Sequence, residues 1–271
     1  MIYLNNDFSP AHTFDCGQCF RWNASPENPS EYIGVASGKV CRAEGNTVYC
    51  ADEDNAFWEN YFSYDIDYGD IKKRLSKPGL KLNPCIEYGG GIRILRQDLW
   101  EMIISFIISA NNNIPRIKRI IETLSKEFGE RIDTDIEGEF YAFPTAEKLS
   151  SLNISDLGCL RAGYRDKYIM DAAQKVAERE VDLSALPDMT TLDAKRELMK
   201  IKGVGGKVAD CILLFSMSRY EVFPKDVWIK RVINELYGVP ENETDTFVSD
   251  NFGSLAGYAQ QYLYYWARDN M

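Results

Sequence analysis

Residues 195–231 read KRELMKIKGVGGKVADCILLFSMSRYEVFPKDVWIKR, and the fold turns on this stretch. Apolar residues at helical spacing run from Leu192 to Ile201. Gly203, Val204, Gly205 and Gly206 then break the helix, because glycine tolerates the positive φ that a tight turn needs. A second helix is expected from about Lys207 to Met217, which makes an αα-hairpin with a glycine turn, the helix–hairpin–helix signature. Backbone N–H groups at such a turn suit a phosphate oxygen, so Gly203, Gly205 and Gly206 are candidate phosphate-binding positions. Lys207 sits at the mouth of the turn. Asp226 lies nineteen residues on, after Phe223 and Pro224, where a further helix is expected to begin.

Outward from this stretch, composition narrows the class. A chain of 271 residues can bury one large core or two smaller ones, and 45% apolar content fits a globular protein. The longest apolar run, about Met102 to Ala110, is too short for a membrane span and carries serines. No basic-then-apolar start precedes it, so neither a secretory signal nor a membrane partner is expected. Seven cysteines, an odd number spread along the chain, suggest reduced thiols in a cytoplasm rather than a disulfide framework. His12 is the one histidine, which leaves no His-based metal cluster and no Ser-His triad. A net charge of −10 argues against a nucleic-acid partner, yet residues 195–231 hold nine Lys/Arg against four acids, a local +5. A basic face on an acidic body can meet a polyanion with steep salt dependence, and a merely solvated face would look similar.

Residues 1–52 read as strands and turns, with β-prone runs at Glu31–Ala36, Lys39–Glu44 and Thr47–Ala51 separated by Ser37-Gly38 and Gly45-Asn46. Cys16 and Cys19 have the spacing of a redox or zinc half-site, but no second pair accompanies them, so two small thiols in a loop or strand are the simpler reading. Helical pattern begins at Ala56–Tyr64 and Tyr68–Ser76. Residues 79–91, with Pro84 and three consecutive glycines, read as a linker, which divides the chain into an N-terminal sheet unit, 1–90, and a helical unit, 91–271. Helices are expected over 97–110, 115–128, 145–152, 164–178, 190–201, 207–217, 227–237, 244–252 and 258–268. The fold class is therefore α+β, an antiparallel sheet with flanking helices packed on a larger helical body.

A lysine at a helix start, flanked by cations such as Lys202 and Lys225, is expected to lose its proton more easily than a free one. A neutral amine attacking a sugar C1′ displaces the base and leaves a Schiff base. The oxocarbenium-like transition state favours a nearby carboxylate, a part Asp226 can fill. Plainer readings exist: Lys207 as a phosphate contact, and Asp226 as a helix N-cap. Capping and catalysis are compatible, since a capped carboxylate has a fixed aim.

GVGGKVADC followed by VFPKDVWIKR closely resembles the helix–hairpin–helix DNA glycosylases, in detail the 8-oxoguanine DNA glycosylase/AP lyase branch. GQCFRW near the start, LRQDLWEMIISFIISANNNIPRI, LGCLRAGYRDKY and GYAQQYLYYWARD carry the resemblance over most of the chain. It implies that Lys207 is the Schiff-base nucleophile and Asp226 the catalytic carboxylate. It implies that the Gly17 carbonyl meets the N7 hydrogen that 8-oxoguanine has and guanine lacks. Gln260 would read the base edge, with Tyr264 and Cys211 against its two faces. Asn111, Arg116 and Arg165 would contact the orphaned cytosine, and Tyr164 would wedge into the stack. Trp228 stands where eukaryotic members carry a phosphate-contacting histidine, and Tyr264 replaces their phenylalanine. No cysteine follows Cys211, so the iron–sulfur loop of related endonucleases is not expected, nor any organic cofactor or catalytic metal. A structural cation at the carbonyls of residues 202–205 is compatible with the turn.

The resemblance thus implies a monomeric enzyme that excises 8-oxoguanine opposite cytosine from duplex DNA and cuts the strand by β-elimination. Two other readings stay open on the residues: a monofunctional alkylbase glycosylase of the same fold, which would lack the lysine, and a non-catalytic DNA-binding module.

Overall fold

The computed structural model describes residues 1–271, the side chain of Asn6 apart. Five short strands, β1 (Ile2–Tyr3), β2 (Trp22–Ala24), β3 (Glu31–Ala36), β4 (Lys39–Glu44) and β5 (Thr47–Tyr49), form an antiparallel sheet in the order β1-β5-β4-β3-β2. The β3–β4 hairpin closes through Ser37 and Gly38, both at positive φ, so that Ala36 faces Lys39. Two left-handed residues match the twist of the flanking strands. Gly34 pairs with Trp22, and a Cβ on Gly34 would lie 2.1 Å from the indole. The bare glycine lets Trp22 lie flat across the sheet and stack on Phe14 of α1 (Pro10–Phe14), with ring centroids 3.9 Å apart. Trp58 and Tyr61 of α2 (Asn55–Tyr61), with Phe62, complete this aromatic core, and Trp22 Nε1 donates to the Tyr61 hydroxyl at 2.9 Å.

The helices α3 (Tyr68–Leu75) and α4 (Asn83–Tyr88) follow. The stretch read as a linker is thus part helix: Pro84 sits in the first turn of α4, where a missing N–H costs nothing. Cys85 and Ile86 anchor α4 in the helical core against α13 (Ala256–Asn270), and Tyr68, Ile71, Leu75 and Leu82 pack in that core too. A short pattern of six residues between glycines carries too little periodicity to reveal such a helix.

Helix α5 (Leu99–Ser109) is the central rod. Every residue from Glu101 to Ile108 is buried, as expected of a helix apolar all round. It starts at Leu99 rather than at the expected residue 97 because Asp98 is its N-cap, accepting from Glu101 N at 2.8 Å. Around it lie α6 (Ile114–Phe128), the two-stranded β6–β7 ladder (Arg131–Ile132, Phe140–Tyr141), α7 (Ala146–Ser150) and α8 (Arg165–Ala177). The hairpin helices α9 (Thr191–Leu198) and α10 (Gly206–Met217), then α11 (Val227–Tyr237), α12 (Thr244–Asn251) and α13 (Ala256–Asn270), complete the body. Among the described residues no helix is long and apolar enough to cross a membrane, and the seven cysteines are unpaired.

The hairpin turn is braced from α8. Asp171 accepts from the Lys202 backbone N–H at 2.8 Å and pairs with its ammonium at 3.0 Å. Gly203 has φ +90, and a Cβ there would lie 2.7 Å from the Tyr168 ring. Gly203→Ala is therefore expected to cost about 1–3 kcal/mol from backbone strain alone, with the clash added. A urea unfolding series checks this, and a midpoint equal to that of the parent would contradict it.

Candidate active site

Three chain segments converge at the start of α10. Lys207 stands in its first turn, after Gly205, an N-cap that offers no side-chain acceptor. Nothing lies within 4 Å of where a Gly205 Cβ would be. The first N–H groups of α10 therefore have no capping side chain, on an open surface beside Lys207. Asp226 is the N-cap of α11, and its Oδ1 accepts from Ile229 N at 2.8 Å. The N-cap reading of Asp226 is seen directly, and capping fixes the aim of the carboxylate. Gly17 comes from the loop after α1, at φ +80, beneath the ring of Tyr264 on α13: a Cβ on Gly17 would lie 3.2 Å from that ring.

Cys16, Gly17, Lys207, Cys211, Asp226, Gln260, Gln261 and Tyr264 line one small cavity of about 40 Å³. That is room for two or three waters. It opens on a wider cleft of about 430 Å³ whose wall includes Lys207, Asp226, Tyr264, Asn111, Trp228, Lys225 and Lys230. The Gly17 loop is rigidly held. Gln18, fully buried, donates to the carbonyls of Thr13 (2.9 Å) and Arg93 (2.7 Å) and accepts from Leu95 N (2.9 Å). Gln97 Nε2 donates to the Gln18 carbonyl at 2.8 Å, while its backbone N–H reaches Phe215 O of α10 at 2.9 Å. Gln97 thereby couples the Gly17 loop to the helix that carries Lys207.

The electrostatics differ from the sequence expectation. Lys207 is held above its ordinary pKa: the Cys211 sulfur one turn on raises it most, burial works against this, and Asp226 adds to the rise. The cations expected to depress it are engaged elsewhere, Lys202 with Asp171 at 3.0 Å and Lys225 with Asp245 at 2.6 Å. Proximity in sequence at a helix start did not translate into proximity of charge. Burial pushes the Cys211 thiol up, against the pull of Lys207, so it stays protonated at neutral pH. Burial also pushes Asp226 up, opposed by the Ile229 N–H and by Lys207. The Phe106 ring, 5.8 Å from Lys207 Nζ, supplies an apolar wall with a negative face toward the amine.

Across the cleft, the loop after α5 meets the loop before α8. Asn111 is exposed at φ +50. Arg165 is buried, and its guanidinium donates to Asn111 O (3.0 Å), Ala162 O (3.2 Å) and Ala110 O. Arg116 joins the same knot, donating to Arg161 O at 2.9 Å and Asn112 Oδ1 at 3.3 Å. Tyr164 stands half exposed above it, its ring 4.5 Å from the Arg165 guanidinium carbon. The structure thus gathers Asn111, Arg116, Tyr164 and Arg165 into one cluster on the rim, separate from the cavity that holds Lys207. Gln261, Phe106 and Trp228 line the cavity or its cleft without having been singled out as pocket residues from sequence. The available signal was Gln261 itself, a second amide in an otherwise aromatic helix.

Comparisons with known proteins place the chain in a family. Residues 1–103 match the family model described as 8-oxoguanine DNA glycosylase, N-terminal domain. Residues 104–255 match that of the HhH-GPD superfamily base excision DNA repair proteins. The chain is 31% identical over 268 residues to an N-glycosylase/DNA lyase of Saccharomyces cerevisiae, covering 86% of this chain and 69% of that one. It is also 31% identical to a probable N-glycosylase/DNA lyase of Methanothermobacter thermautotrophicus, covering 78% and 73%. Among solved structures, it superimposes with a TM-score of 0.90 and 41% identity on the Clostridium acetobutylicum 8-oxoguanine glycosylase/lyase in complex with double-stranded DNA containing cytosine opposite 8-oxoG, covering 97% and 93%.

Proposed function

The chain belongs to the HhH-GPD superfamily of base excision DNA repair proteins, and on that premise we propose that it is a bifunctional DNA glycosylase/AP lyase that removes 8-oxoguanine opposite cytosine. The observation that carries this reading is the meeting of Lys207, Asp226, Gly17 and Gln260 in one cavity. A phosphate-binding module needs the glycine turn but has no use for an enclosed amine–carboxylate pair beside it. A monofunctional glycosylase needs the carboxylate but not the amine.

The chemistry follows from the pairing. The everted nucleotide enters the cleft with its sugar beside Lys207 and its base toward Gln260, and the 40 Å³ cavity must widen by movement of the Tyr264 ring to admit it. Lys207 first gives up its proton, for which the Asp226 carboxylate is an acceptor in the same cavity. Its Nζ then bonds to C1′ as the bond from C1′ to the base breaks, the electron pair leaving with the base. Asp226 passes that proton to the departing base and, ionised again, offsets the positive charge that builds on the sugar. Transfer of a proton from Nζ to the ring oxygen opens the sugar to the protonated Schiff base, whose electron demand lets the Asp226 carboxylate take the C2′ proton while the electrons of that bond expel the 3′ phosphate. Gly17 accepts from N7–H of the oxidised base, and would face guanine's own N7 acceptor unpaired. On the rim, Asn111 and Arg116 meet the unpaired cytosine, Tyr164 fills the gap, and the buried Arg165 holds the Asn111 loop.

Borohydride trapping tests this directly, on a duplex with one 8-oxoguanine opposite cytosine and on its undamaged counterpart. A covalent adduct on the lesion duplex alone is expected. Base release without an adduct would overturn the lysine chemistry, and binding without either would favour the module.

A further inference from the structure

Gln260 and Gln261 are consecutive and both more than nine-tenths buried, at 4% and 3% exposure. Gln261 Nε2 donates to Gln260 Oε1 at 2.9 Å. That bond turns the Gln260 amide so that its NH₂ is left to donate elsewhere. The other half of the second amide, Gln261 Oε1, is buried and has no partner. Among the described residues several buried polar atoms lack partners, but Gln261 is the one such residue that lines the cavity with Lys207 and Asp226. A purely structural amide pair would settle both oxygens. An orphaned acceptor in the wall of a binding cavity is instead matched to a donor on the ligand.

We propose that Gln261 is a base-reading residue, and that the Gln260–Gln261 pair tells oxidised guanine from oxidised adenine. This rests on the base-excision reading above. The pair leaves one NH₂ group and one carbonyl oxygen for a ligand in the cavity wall. The guanine edge carries the complement, the O6 acceptor beside the N1–H donor. The adenine edge carries the reverse, an N6 amino donor beside the N1 acceptor. The Gly17 carbonyl cannot make this distinction, because 8-oxoguanine and 8-oxoadenine both carry hydrogen on N7. Gly17 thus reports that a purine is oxidised, and the amide pair reports which purine it is. With 8-oxoguanine bound, Gln261 Oε1 accepts N1–H and the orphaned acceptor is satisfied. With 8-oxoadenine, two acceptors and two donors face each other unpaired.

Gln261→Met removes the amide while nearly keeping its volume. Single-turnover excision of 8-oxoguanine opposite cytosine is expected to fall about 10–100-fold, the range for losing one buried hydrogen bond to a base. Excision of 8-oxoadenine in the same duplex is expected to hold or rise, so the ratio between the two collapses. Borohydride trapping on a preformed abasic site bypasses base reading and is expected to be unchanged, and the melting temperature is expected not to fall. An unchanged ratio overturns the proposal. So does a parallel loss of excision and abasic-site trapping, which would make Gln261 a scaffold residue. Failure of the parent enzyme itself to excise 8-oxoguanine, with abasic-site trapping intact, is a different result and overturns the substrate reading beneath it.

Discussion

Lys207→Gln is expected to bind lesion-bearing duplex and yet release no base and cut no strand. The loss in single-turnover excision should be on the order of 10⁴-fold or more, because no other amine shares the cavity and a glutamine amide cannot form a Schiff base. The borohydride adduct should vanish with it. The substitution is conservative for the fold, since Lys207 lies at the first turn of α10 and, among the described residues, makes no ion pair within 4 Å. It also has an electrostatic signature. Lys207 is one of the groups that pull Asp226 downward against burial, so its removal should raise the Asp226 pKa further. A carbonyl-stretch titration of Asp226 in the variant should therefore shift to higher pH than in the parent. Retained strand cleavage, or a titration that moves the other way, would sink the assignment.

In the parent the same coupling shapes the pH profile of the reaction. Lys207 rests as an ammonium, raised by Cys211 first and by Asp226 besides. The attacking form is the neutral amine, so excision should gain rate as pH rises toward alkaline values. The fold does not lower the lysine's pKa in the free protein. It places a proton acceptor in the same cavity, and the site depends on that acceptor being ionised.

The sequence made much of this legible, for identifiable reasons. The hairpin could be read because glycine at 203 has a physical cause, positive φ with Tyr168 pressed against it. Helix α11 was read end to end because Asp226 at its N-cap and Gly238 at φ +70 after it are local signals. The β3–β4 hairpin was read from two turn residues. What escaped depends on contacts between distant segments. Strand β2 is three residues long and exists because Trp22 finds Gly34. Helix α4 exists because Cys85 and Ile86 find the helical core. The direction of the Lys207 shift was misjudged because Lys202 and Lys225 lie near it in the chain, while Asp171 and Asp245 claim them in space. Composition could not reveal that Gln261 leaves one oxygen unpartnered, since this depends on the rotamer of its neighbour.

Asp226→Asn separates stability from function. Asparagine caps a helix as well as aspartate does, so α11 should keep its start and the bond from Ile229 N. Catalysis should not survive: the variant lacks both the charge that offsets the oxocarbenium-like sugar and the acceptor for the Lys207 proton. A loss of about 10²–10³-fold in excision is expected from the electrostatic role alone. Stability should move in the opposite sense. Burial raises the Asp226 pKa in the folded chain above its unfolded value. Such a group favours folding fully below the unfolded pKa, and this contribution is lost as pH rises through the folded pKa. At neutral pH the ionised, buried carboxylate is therefore a cost of folding, and the uncharged asparagine removes it. Asp226→Asn should unfold at an equal or higher urea midpoint than the parent at pH 7, with the gap closing as pH falls below the ordinary carboxylate range. A variant that is inactive and also less stable at pH 7 would mean that Asp226 serves the fold first. An inactive variant with raised stability would mark a residue kept, at a cost to folding, for the reaction.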